Sequence, residues 1–87
     1  MPKYLIHRTV GQLSGDEIDG AGNRSNNVLA TMPEVRWIRS YYSAEEGKIY
    51  CEYEAPSLEL LYEHARNAQM PIDGASVVRE LAPAMFY

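Results

Sequence analysis

A single cysteine, Cys51, rules out an intrachain disulfide, so no covalent staple supports this chain of 87 residues. A chain this short makes one domain, 1–87, with a modest core, and burial against a partner is a natural supplement. Basic residues are also scarce, with eight Lys and Arg against twelve Asp and Glu and a net charge of −4. No Lys/Arg cluster is available to replace phosphate counterions, which excludes a generic nucleic-acid backbone binder. No segment approaches the roughly 20 apolar residues of a membrane span, and Met1-Pro2-Lys3-Tyr4 opens no signal-like apolar run. The expectation is a soluble, cytoplasmic protein without a membrane partner. The sequence also lacks a Gly-rich phosphate loop, a His-x-x-x-His or Cys-x-x-Cys pair, an acidic metal loop and a hydrolase-type triad signature. Nucleotide binding and a dedicated structural zinc site are therefore not expected. There is no internal repeat, low-complexity stretch or linker.

What is present is 46% apolar residues and seven tyrosines, joined by Trp37 and Phe86. Such rings, flat with polar tips, serve both cores and subunit interfaces. Lys3 to Arg8 reads as a short strand, with Tyr4 and Ile6 alternating against Leu5 and His7. Ser14-Gly15-Asp16-Glu17 carries a capping-box pattern, and Ile18, Ala21, Ser25, Val28, Leu29 and Met32 follow at helical spacing up to Pro33. Gly20 and Gly22 weaken that helix and suggest a close approach to a neighbour. Val35 to Tyr42 reads as a second strand, placing Val35, Trp37, Arg39 and Tyr41 on one face and Arg36, Ile38, Ser40 and Tyr42 on the other. Ala44-Glu45-Glu46-Gly47 is the turn into a third strand, Lys48 to Glu54. Pro56 ends it, and Ser57 caps a second helix with Leu58, Leu61, Ala65 and Ala68 on its packing face. Pro71 and Asp73-Gly74 turn the chain into a last strand, from about Ala75 to Leu81.

The order β-α-β-β-α-β has a compact solution in an α+β, ferredoxin-like fold: a four-stranded antiparallel sheet with both helices on one face. The other sheet face is then open. Strands two and three carry apolar or aromatic side chains on both faces, among them Trp37, Ile38, Tyr41, Ile49, Tyr50 and Tyr53. An open face of that kind predicts a homodimer packed sheet to sheet, with a cavity between the subunits.

Several segments carry a resemblance: Lys3-Tyr4-Leu5-Ile6-His7-Arg8-Thr9, Val35-Arg36-Trp37-Ile38-Arg39-Ser40-Tyr41, Ile49-Tyr50-Cys51-Glu52-Tyr53-Glu54-Ala55-Pro56 and Glu63-His64-Ala65. Over nearly its whole length the chain resembles a small, largely uncharacterised bacterial family that includes a nickel-binding member. The resemblance implies a ferredoxin-like fold assembled as a dimeric α+β barrel. This chain has Arg39 where the family pattern often has histidine or glutamate, and a guanidinium does not ligate a metal.

The candidate functional residues follow from their chemistry. Cys51 can act as a soft metal ligand or thiolate near His64, although its alternation with Ile49 and Tyr53 favours a small buried residue. His64, at the edge of the second helix's packing stripe, and His7, opposite Tyr4 and Ile6, are the only imidazoles. Together with Glu52 and Glu54, which share a strand face with Tyr50, they form the candidate metal set His64, His7, Glu52 and Glu54, suited to nickel or another divalent transition metal. The same glutamates can instead pair with Arg36, Arg39 or Arg79. Arg39, Tyr41 and Trp37 make a candidate ligand site, a cation beside aromatic walls that suits a small anionic molecule. If the protein is an enzyme, His64 or Glu54 is the proton carrier. Three readings stay open: a ligand- or metal-binding dimer, a small-molecule enzyme and a structural dimer.

Overall fold

A computed structural model describes residues 1–86 of the chain. The elements run β1 (Lys3–Thr9), α1 (Gly15–Leu29), β2 (Arg36–Ser43), β3 (Lys48–Glu54), α2 (Leu58–Asn67) and β4 (Gly74–Val78), followed by one 3-10 turn at Pro83–Met85. The strands form one sheet in the order β2-β3-β1-β4 with every neighbouring pair antiparallel. This is the expected ferredoxin-like α+β arrangement. Strand β4 stops at Val78, short of the expected Leu81, and α1 stops at Leu29, leaving Met32 and Val35 buried in the turn that follows.

Local chemistry sets the helix starts. Ser14 accepts a hydrogen bond from the Glu17 amide, and Glu17 Oε1 accepts from the Ser14 amide at 2.9 Å, completing the capping box. Glu17 is acidified by these contacts, since both stabilise its carboxylate. Replacing Ser14 by alanine is expected to cost about 0.5–2 kcal/mol in urea unfolding, the usual range for a lost N-cap. Ser57 caps α2 through the Leu60 amide.

Register decides what meets the helices. The pairs Tyr4–Tyr53, Ile6–Cys51 and Arg8–Ile49 put these six residues on the helix-covered face. All are buried, and Leu61 and Ala65 close over them from α2. An irregularity between Trp37 and Arg39 corrects the expected faces of β2. Trp37 pairs with Tyr53, Ser40 with Cys51 and Tyr42 with Ile49, so these three share the helix side, while Arg39 and Tyr41 take the open side. A bulge inserts one residue and so reverses the phase of everything beyond it.

Helix α1 covers the sheet incompletely. Ser25 is its one buried residue, and its inner face carries Ala21 and Gly22. A Cβ on Gly22 would meet nothing closer than Trp37 at 4.0 Å, so this glycine leaves space under the helix rather than permitting the expected close approach. The result is a half-open cavity of about 620 Å³ between α1 and the sheet, walled by Gly22, Asn26, Trp37, Tyr42, Ile49 and Cys51 among others.

Candidate functional site

A chain of polar groups runs through the core on the helix side. Arg8, only 1% exposed, donates from Nε to the Met70 carbonyl at 3.0 Å and from Nη1 to Cys51 Sγ at 3.3 Å. Ser40 Oγ donates to the same sulfur, and Trp37 Nε1 donates to Ser40 Oγ at 2.8 Å. The guanidinium carbon lies 6.0 Å from the centre of the Tyr53 ring, within reach of a cation–π contact. Burial, then the neighbouring Cys51, pushes the Tyr53 phenol up to about 12, so it stays protonated through the physiological range.

His64 projects from α2 into this layer and is fully buried. Its Nε2 stands 3.2 Å from Ser25 Oγ and 3.4 Å from the Ser25 carbonyl, and its ring lies 5.7 Å from that of Tyr53. A carbonyl can only accept, which favours the tautomer with the proton on Nε2. Nδ1 is then a bare acceptor and is buried without a partner. Burial holds the imidazole below its usual range, and the nearby Arg8 charge acts in the same direction against the contact with Ser25. His64 is therefore a neutral group tying α2 to α1.

The open face presents a different set. His7, Tyr50, Glu52, Glu54, Arg36, Arg39 and Tyr41 alternate onto it by the same register. Arg36 Nη1 pairs with Glu54 at 3.2 Å and Arg39 Nε approaches Glu52 at 3.7 Å, the cross-strand pairing foreseen for these glutamates. His7 lies opposite Tyr50, one alternate position from Glu52, with its rings 6.4 Å from that tyrosine. Its imidazole reaches over β4, where a Cβ on Gly74 would run into the ring. His7 Nδ1 is buried without a hydrogen-bond partner.

The predicted residues thus divide between two sides. His7, Glu52, Glu54, Arg39 and Tyr41 share the open face. Trp37, expected beside Arg39, stands on the helix side because of the bulge, and so do Cys51 and His64. His64 cannot join His7, Glu52 or Glu54 around one metal ion, nor share a site with Arg39, because the sheet lies between them. Among the described residues no three His, Cys, Asp or Glu side chains converge to hold a metal. Cys51 and His64 do occupy one buried layer, linked through Arg8 and Tyr53 rather than directly. No sequence motif marks Arg8, and the signal that points it inward is its alternation with Tyr4 and Ile6.

No helix is long and apolar enough to cross a membrane among the described residues. Among curated proteins none matches the chain. The crystal structure of SCO4226 from Streptomyces coelicolor A3(2) matches with a TM-score of 0.81 at 18% identity, covering 92% of this chain and 99% of that one. At this identity the likeness shows the fold. The sequence profile of a family described as nickel responsive protein SCO4226-like matches residues 4–78. By that match across most of its length, the chain belongs to the SCO4226-like family of nickel-responsive proteins.

Proposed function

We propose that the protein is a homodimer, joined through the open sheet face, that binds a divalent transition-metal ion, nickel foremost, with His7 and Glu52 of both copies as ligands. The observation carrying this reading is His7, an imidazole on the open-face side of β1 whose buried Nδ1 has no hydrogen-bond partner, with Glu52 on the same face, one alternate position along β3 from the Tyr50 it faces. One chain falls short of a ligand set, since His64 lies behind the sheet. A two-fold pairing doubles His7 and Glu52 into two nitrogen and two carboxylate donors, a mixture that suits nickel or zinc. Tyr41, exposed on the open face beside Tyr50, offers aromatic surface for the second copy. Glu52 must exchange its contact with Arg39 for the metal, which the 3.7 Å separation and the half-exposed guanidinium permit.

Two measurements test the proposal. Sedimentation of the protein at micromolar concentration should report twice the 9.9 kDa chain, and a monomer would defeat the dimer. Calorimetric titration of metal-free protein at pH 8 with nickel and zinc should give saturable binding near one ion per two chains. His7→Ala and Glu52→Gln should each weaken it at least about tenfold, since even a lost outer-shell partner costs about 10–100-fold, while His64→Gln leaves it in place. Absence of saturation at tens of micromolar metal removes the metal reading. Binding that survives both ligand substitutions assigns the ion elsewhere.

A further inference from the structure

A second cleft, of about 420 Å³, opens between α1 and the loop joining α2 to β4, and Arg8 forms part of its wall. The rest of that wall is mainly apolar, with Val10, Leu13, Ile49, Met70 and Pro71. Arg8 is the anomaly. Its side chain is buried, a guanidinium does not deprotonate in a protein, and the partners it has, the Met70 carbonyl, the Cys51 thiol and the protonated Tyr53 phenol, include no carboxylate. The two ion pairs among the described residues belong to Arg36 and Arg39 on the opposite side of the sheet. A buried charge without a counter-charge is costly, and with Nε and Nη1 engaged, Arg8 still has donors to give.

We propose that this cleft binds a small monocarboxylate, its carboxylate paired with Arg8 and its hydrocarbon part lying along Val10, Leu13, Ile49 and Met70. The guanidinium fork matches a carboxylate, and the apolar wall takes a short alkyl or aryl body. A dianionic phosphate fits less well. One buried cation leaves a charge uncompensated, and Asp16 and Glu17 at the cleft oppose a second negative charge, with Arg24 alone offsetting them. The rival counter-charge is a Cys51 thiolate, which would satisfy Arg8 from within and leave the cleft without carboxylate affinity. The site lies across the sheet from His7 and Glu52 and does not depend on metal or on the dimer.

The test uses the unmodified full chain with chelator present, titrated with hexanoate and phenylacetate, with their neutral amides, and with inorganic phosphate, and followed by amide chemical shifts. Saturable carboxylate binding is expected, with the largest shifts at Val10, Leu13, Ala21 and Met70. The amides should bind at least about tenfold more weakly, as the loss of a charge-assisted pair requires, and phosphate should not saturate. Arg8→Met, checked for folding by circular dichroism, should lose the carboxylate preference, while Arg39→Ala and His7→Ala retain it. The proposal is overturned if neither carboxylate binds, if amide and acid bind alike, or if Arg39→Ala abolishes binding. The acid–amide comparison needs no variant, so it decides the matter even if Arg8→Met does not fold.

Discussion

Truncation of Tyr53 to alanine is expected to remove a large part of the folding stability. Tyr53 is 1% exposed, faces Tyr4 across the β1–β3 pair and Trp37 across the β2–β3 pair, and carries His64 and Arg8 against its ring. Loss of a fully buried aromatic ring costs about 3–5 kcal/mol. A chain of 87 residues has in total about 4–13 kcal/mol at the usual stability per residue. With a urea dependence near 1 kcal/mol per molar for so small a domain, the midpoint should fall by about 3–5 M or the cooperative transition should vanish. Tyr53→Phe keeps the ring and should lose far less. A Tyr53→Ala protein with an unshifted midpoint would show that the two helices and the sheet do not meet on this residue.

How much of this was readable in the sequence depends on the range of the interaction that decides each feature. The capping box at Ser14 and Glu17 is local, and so is the alternation that bounds 48–54, and both are as expected. The strand Arg36-Trp37-Ile38-Arg39-Ser40-Tyr41-Tyr42 carries apolar and polar groups on both phases of its alternation. No face preference flags the bulge there, and plain alternation sets Trp37 beside Arg39 instead of beneath α1. Gly22 reads equally as a site of close contact or as missing volume, and only the distance to Trp37 separates the two. Arg8 alternates in phase with Tyr4 and Ile6, but no local signal supplies a partner for a buried guanidinium, and the Met70 carbonyl that does so lies 62 positions on. The pairing of His64 with Ser25 joins two helices that share no sequence signal. Because His64 was thereby taken into the core, the metal reading narrows to His7 and Glu52.

Acidification from pH 8 to pH 5 is expected to destabilise the protein, with His64 the group responsible for the first part of the loss. In the unfolded chain this imidazole titrates near 6.5, whereas burial lowers its pKa in the folded state. Above that value both states hold a neutral ring and pH has no effect through it. Below it the unfolded chain takes up a proton that the buried ring refuses, which favours unfolding by up to about 1.4 kcal/mol per pH unit until the folded pKa is reached. The groups facing the ring do not compensate: Tyr53 stays neutral, Ser25 does not titrate and Arg8 is a fixed positive charge. Asp73 and Glu17, whose carboxyls are acidified by contacts with Thr9 and Ser14, add their own losses only under more acid conditions, as pH falls through their ordinary range near 4 and below. Urea midpoints at pH 8, 7, 6 and 5, with chelator present, should be level at the upper end and fall from pH 6.5 downward. His64→Gln should flatten the curve over this window. A wild-type midpoint that stays constant to pH 5, or a slope that persists unchanged in His64→Gln, would mean that the imidazole is not held neutral between α1 and α2.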